Sequence, residues 1–278
     1  MELRITVICE NSVIVPFGVI GEHGFAAFVE TPNGNFLFDT AQGKGILNNA
    51  TILGKDLRTI KFLYISHGHY DHTLGIPQVL SVKSPLKIIA HPDIFANKFR
   101  VEPGIPPRFV GIPYRKEYLE SLGAQFEFIK DWTEIDKGVY STGEVPMKTE
   151  FEKLDKDMKV LNDNGEFEPD MLKDDFSLVI DTSKGLVVIL GCAHTGIVNI
   201  LNHVIEKTGK DKIYAVLGGT HLGFATEEQI ENTIKVIKEY KIEKLGASHC
   251  TGLAVSCKLA NLLKDKFFFA SVGAVLEV

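Results

Sequence analysis

The chain has 278 residues, 45% of them hydrophobic, with a formal net charge of −6 and a pI near 5.9. That is apolar material for a substantial core, and the acidic balance argues against nucleic acid as main partner, since phosphate backbones select clustered Lys and Arg. No apolar run approaches a membrane span, and the start, MELRITVICENSV, lacks a basic segment leading into an apolar block, so neither a membrane partner nor a secretory leader is expected.

Four cysteines, Cys9, Cys192, Cys250 and Cys257, show no CxxC spacing, which predicts free thiols in a reducing cytoplasm. In chain order, FVETPNGNFLFDT (residues 28–40) reads as a hairpin turning at Asn33-Gly34 and ending at Asp39. IKFLYI then reads as a buried strand, followed at once by SHGHYDH, with His67, His69, Asp71 and His72 inside six residues. His91 ends a further apolar run and is expected to be held by hydrogen bonds.

Two stretches read as insertions. Residues 101–118, VEPGIPPRFVGIPYRKEY, carry four prolines, with Arg108 and Tyr114 placed to meet a phosphate and a flat ring. Residues 144–175 are charged and turn-rich, and a lid or a solvated excursion fits them.

A second hairpin, LVIDTSKGLVVILG, echoes the first at Thr182 and Gly185, so either two related halves or a chance likeness is expected. It runs into GCAH, ending at His194. KIYAVL runs into GGTH, ending at His221, and IEKLGA runs into SHC, with His249. Between these runs, Ile197, Ile200, Leu201 and Val204 keep helical spacing, as do Ile230, Ile234 and Ile237 behind Thr226 as N-cap. A last helix is expected from just after Thr251 to about Lys264. His203, inside a helix, is expected at the surface. Strand–helix alternation predicts sheets covered by helices.

Histidines in loops after buried strands point to metal, because α/β folds put chemistry at the carboxyl ends of strands. His67 and His69, two apart in an extended loop, can face the same way. Asp71 and His72 then turn towards a second position, so one loop can seed two sites about 3.5–4 Å apart. Gly68 is expected to give the loop conformational freedom. Imidazole and carboxylate donors suit two divalent ions, Zn²⁺ first, with Mn²⁺ or Fe²⁺ as alternatives, and such a pair lowers the pKa of bound water towards ~7.

SHGHYDH resembles the HxHxDH signature of the metallo-β-lactamase superfamily, and the later histidines follow its order. The resemblance implies an α+β (α/β-type) fold, an αββα sandwich of two sheets flanked by helices, spanning residues 1–278 as a single domain. It implies His67, His69 and His194 on a first metal, Asp71, His72 and His249 on a second, and Asp39 as hydrogen-bonding support. Where relatives of the glyoxalase II type bridge both metals with an Asp, this chain reads GGTHL, so His221 is expected in the inter-metal position. Asp71 and His221 are thus the candidate catalytic residues. Cys192 and Cys250 are expected to be packed, neutral thiols.

EHGF, GCAHTGI, GGTHL and SHCTG resemble a subgroup that includes dihydropterin ribofuranosylaminobenzene phosphate synthases. That implies a dinuclear enzyme on a small phosphorylated substrate, a hydrolase or a pterin-type transferase. Thr251 and Gly252, opening a helix beside His249, are candidates for phosphate binding, with a plain N-cap as the alternative for Thr251. His23 either lines the site or is structural. The rival readings are an ester, thioester or lactone hydrolase of the glyoxalase II type, a redox di-iron enzyme, and a non-catalytic metal-dependent binder of small molecules.

Overall fold

Alternation along the strands decides the layering. In Gly34–Phe38, Phe36 and Phe38 face one way and Leu37 the other; in Gly185–Leu190, Val187 and Ile189 oppose Leu186, Val188 and Leu190. Phe36, Phe38, Val187 and Ile189 share one apolar layer, between two sheets. Leu37 lies instead with Ile46, Ile76 and Val79 of two helices. Leu186 and Val188 lie with Ile197, Leu201, Ile234 and Leu259 of three others. Each sheet is buried on both faces, which is the expected αββα sandwich.

The computed structural model describes residues 2–278. The first sheet runs Val275–Glu277, Arg4–Cys9, Ala26–Thr31, Gly34–Phe38, Ile60–Tyr64, Leu86–Ala90, Ala124–Phe128. The second runs Phe267–Phe269, Lys244–Ser248, Ile213–Gly219, Gly185–Leu190, Ser177–Thr182, Val139–Ser141, Thr133–Asp136.

The two sheets share a plan. In each, an antiparallel hairpin hands over to parallel strands: Gly34–Phe38 to Ile60–Tyr64, and Gly185–Leu190 to Ile213–Gly219. The hairpin turns match in detail. Thr31 Oγ1 donates to the Gly34 carbonyl at 3.0 Å and Thr182 Oγ1 to the Gly185 carbonyl at 2.6 Å. Gly34 and Gly185 sit at φ of 123° and 130°, a region that favours glycine. The echo seen in the sequence is a repeated structure.

The helices form where the spacing predicts them. Glu227–Glu239 is capped by Thr226, whose hydroxyl accepts from the Gln229 amide. Ile197–Thr208 buries the apolar set named above, but also His203, whose Nε2 meets the Thr142 carbonyl at 3.1 Å. His203 is therefore not a surface residue. The last helix, Leu253–Leu263, starts behind Gly252.

The two insertions are not separate excursions. Lys98–Arg100 and Arg108–Phe109, in and beside the first, join Met158–Leu161 and Phe167–Pro169 of the second in a four-stranded sheet. Phe99 packs edge-on against Phe109 and Phe167. Beneath it the buried Lys98 ammonium lies 2.8 Å from Asp170 and 2.8 Å from Asp174. Paired in this way, a buried cation is tolerated.

Candidate metal centre

Every candidate ligand leaves the carboxyl end of a parallel strand, so the two sheets deliver them to one edge of the sandwich. Ile60–Tyr64 leads to His67, His69, Asp71 and His72, Gly185–Leu190 to Cys192 and His194, and Lys244–Ser248 to His249. Gly68 does not adopt a positive φ. It is required for a different reason: a Cβ there would stand 2.2 Å from the Ile94 carbonyl. The Gly68 amide donates to Asp174 at 2.8 Å, so the Lys98 pair also pins the histidine loop.

The donor atoms fall into two trios. His67 Nε2 is 3.1 Å from His69 Nδ1 and 3.3 Å from His194 Nε2. His249 Nε2 is 3.3 Å from His72 Nε2 and 3.3 Å from Asp71 Oδ2. One ring nitrogen cannot serve two imidazole neighbours as both donor and acceptor. Ligands about 2.0–2.1 Å from a tetrahedral ion, however, stand about 3.3 Å apart. The separations within the trios are those of ligands around a metal ion.

Electrostatics prepares the donors. Burial, then the neighbouring histidines, hold His67 and His194 well below the usual imidazole range; burial and then Lys98 push His69 down to about 3. These rings stay neutral, as metal ligation demands. Burial alone would raise Asp71, but hydrogen bonds from His23 and His249 hold it well below the carboxylate range, as an anion.

Several residues aim the ligands. Asp39, fully buried, accepts from the Ser66 amide at 2.7 Å, the Ser66 hydroxyl at 2.6 Å and His72 Nδ1 at 2.6 Å. Ser66 Oγ also meets His67 Nδ1 at 2.9 Å. His249 is held by Glu10, which accepts its backbone amide at 2.6 Å, and by Asn11, whose Oδ1 faces Nδ1 at 3.1 Å. Asp175 accepts from the amide and hydroxyl of Thr195, beside His194. Glu10, Asn11, Asp174 and Asp175 escaped the sequence reading. ICENS offered the signal that found the histidines, polar residues just after an apolar run; KDDF, just before one, offered none.

Other candidates are spread more widely. His23 stands at the mouth, its Nε2 3.0 Å from Asp71 and its side chain 48% exposed. Arg108 is exposed on the small sheet, where its charge acts on Tyr70, the neighbour of Asp71. Tyr114 is not brought to the centre: it lines a crevice with Pro92, Phe95 and Phe128, and its hydroxyl donates to the Leu74 carbonyl. Thr251 neither caps the last helix nor faces outward; its hydroxyl meets the amide and hydroxyl of Thr220. Gly252, exposed at φ 70°, is the cap, with no side chain covering the helix start. His91 accepts from the Asp93 amide and faces Glu144, as expected.

His221 lies in neither trio. Its ring packs on His194, centroids 4.3 Å apart, and on Phe224, and it groups with Cys192 and Cys250. Both its ring nitrogens are buried without a hydrogen-bond partner. All four cysteines are free.

The metallo-β-lactamase superfamily profile matches residues 19–199. The chain belongs to that superfamily. It is 31% identical to the 7,8-dihydropterin-6-methyl-4-(β-D-ribofuranosyl)-aminobenzene-5′-phosphate synthase of Methanocaldococcus jannaschii, over 92% of this chain and 90% of that one. An uncharacterized protein of the same organism is 30% identical over 99% of this chain and 100% of its own. Among solved structures, Tm1679, described as a metal-dependent hydrolase of the β-lactamase superfamily, superposes with a TM-score of 0.85 at 31% identity, covering 100% of this chain and 99% of that one. Zinc-bound PqqB from Methylobacterium extorquens shares the fold, with a TM-score of 0.59 at 13% identity over 99% of this chain and 100% of that one. No helix among the described residues is long and apolar enough to cross a membrane.

Proposed function

We infer that this superfamily member is a dinuclear metal-dependent enzyme acting on a small phosphorylated substrate, and that the reaction is a pterin-type transfer. The observation that carries the metal reading is the pair of trios, in which His67 Nε2 and His249 Nε2 each stand 3.1–3.3 Å from two further donors, both trios drawing on one loop. The transfer reading rests on the named synthase, similar over nearly the full length of both chains. His67, His69 and His194 would hold one ion, and Asp71, His72 and His249 the other. Such a pair, Zn²⁺ by its donor set, supplies Lewis acidity towards a phosphoryl oxygen.

The chain's own residues supply the rest. In the transfer, an aryl amine nitrogen bonds to the pterin methylene, the bond from that carbon to the diphosphate breaks, and the amine gives up one proton. His23, at the mouth beside Asp71, is placed to pass that proton to solvent. Arg108 offers a guanidinium to a phosphate from the small sheet, and the uncovered helix start at Gly252 offers backbone N–H groups beside His249. Hydrolysis is the second reading, favoured by the likeness to Tm1679, described as a hydrolase.

The experiment is to incubate metal-loaded protein with a dihydropterin methyl diphosphate, with and without a phosphorylated aryl-amine riboside. Diphosphate released only when both are present establishes transfer. Release from the diphosphate alone establishes hydrolysis. Release in neither case sinks both readings, and His67→Ala/His69→Ala should abolish whichever is seen together with one metal equivalent.

A further inference from the structure

We propose that the Cys192 sulfur is a metal ligand standing between the two trios, the position expected for His221. The inference rests on the two-metal reading. Cys192 Sγ lies within 4.8 Å of the donor nitrogens of His67 and His194, and also within 4.8 Å of those of His72 and His249. It is 3.3 Å from His72 Nε2. Among the described residues, no other side chain joins donor clusters drawn from both trios.

The neighbours that compete for the role are otherwise engaged. Cys250 Sγ accepts the His221 amide at 3.2 Å and donates to the Cys192 carbonyl at 3.4 Å, so backbone holds its sulfur. His221 reaches Cys192 and Cys250 but no cluster containing His67, His72 or His249. The strand ends fix this arrangement by close approach. A Cβ at Gly191 would stand 2.2 Å from Ser66 Oγ, and one at Gly219 would stand 2.6 Å from Cys250 Sγ. Both glycines let the loop carrying Cys192 settle between the metal loops.

The chemistry favours sulfur there. Two divalent ions bring four positive charges, and Asp71 is the single anion in the two trios. A thiolate adds a second negative charge, and its sulfur has lone pairs for both ions, whereas a neutral imidazole has one. Loading releases the thiol proton to solvent; nothing is oxidised or reduced. A soft sulfur donor also tilts the centre towards Zn²⁺ and away from Mn²⁺.

The test reads coordination, so it is independent of turnover. Protein loaded with Zn²⁺ is counted for metal and examined by X-ray absorption at the zinc edge; protein loaded with Co²⁺ is examined for sulfur-to-cobalt charge-transfer absorption in the near ultraviolet. We expect a sulfur neighbour at about 2.3 Å and a charge-transfer band in the wild type, both kept in Cys250→Ser and lost in Cys192→Ser. Because Cys192→Ser can misfold, a variant with Cys9, Cys250 and Cys257 all changed to Ser leaves Cys192 as the one thiol, and should keep both signals. Two bound ions with no sulfur neighbour, or signals lost in Cys250→Ser and kept in Cys192→Ser, would overturn the thiol ligand and leave the two-metal reading standing. No bound metal at all would overturn both.

Discussion

Asp39 and His72 meet at 2.6 Å in a fully buried contact, and the same carboxylate holds the amide and hydroxyl of Ser66. One aspartate thus aims His72 directly and His67 through Ser66. Burial alone would lower the His72 pKa, but Asp39 outweighs it and raises it. Asp39→Asn keeps one acceptor oxygen for three donors. Metal affinity should fall about 10–100-fold, the usual effect of losing such a partner. Competition titration with a chelator, wild type against Asp39→Asn, measures it; equal affinities would contradict the role.

Lys98 is the second test. Lys98→Met leaves Asp170 and Asp174 buried without their cation, and removing one partner of such a pair costs about 3–5 kcal/mol. Because Asp174 also accepts the Gly68 amide, metal affinity should drop as well as stability. Denaturant unfolding and metal titration of the same variant check both. A stable variant with unchanged metal affinity would show that the small sheet does not support the histidine loop.

Glu152 gives a pH prediction. Its buried carboxylate accepts the amides of Val198 and Asn199 at the start of Ile197–Thr208, and burial, only partly offset by those bonds, raises its pKa to about 7. A carboxyl raised above its unfolded value contributes stability below the unfolded pKa and loses it as pH rises through the folded one. Stability from this group should therefore decline between about pH 4.5 and 7, by at most about 3 kcal/mol. Glu152→Gln removes that titration. The stability of wild type minus that of Glu152→Gln should fall with pH across this window and be flat above it; a difference independent of pH would refute the assignment.

A phosphorylated substrate predicts phosphate-linked stability. With metal bound, inorganic phosphate or diphosphate at a hundredfold excess over Kd should stabilise the protein by about 2.7 kcal/mol. Arg108→Ala should reduce the shift. Thermal scans with and without phosphate check this, and no shift at millimolar phosphate would count against the substrate class.

What could be read from the sequence is what the chain encodes locally. His67, His69, Asp71 and His72 share one loop, and the later histidines each end an apolar run, so spacing alone located them. The Thr31 and Thr182 hairpins were visible for the same reason. What escaped depends on distant contact. Glu10 reaches His249 across 239 positions, and Asp174 meets Lys98 across 76. Thr251 faces inward because Thr220, just past the end of Ile213–Gly219, receives it. Tyr114 sits in an aromatic, proline-rich run that suggests binding, yet packing turns it towards Tyr118 and Leu74. The two insertions look unrelated in sequence because their strands pair across residues 101–157, a partnership that no local pattern encodes.

That pairing ties the histories of the two insertions together. Met158–Leu161 has Lys98–Arg100 as a neighbour, and the Lys98 charge is neutralised by Asp170 and Asp174 from the far segment. Neither excursion is a freestanding ornament that a lineage can discard at will. Deleting the later one strands the buried Lys98 ammonium; deleting the earlier one strips the strand that carries Lys98 of its other neighbour, Arg108–Phe109. Among related chains the two should be gained and lost as one heritable unit, with position 98 turning apolar wherever the acidic segment has gone.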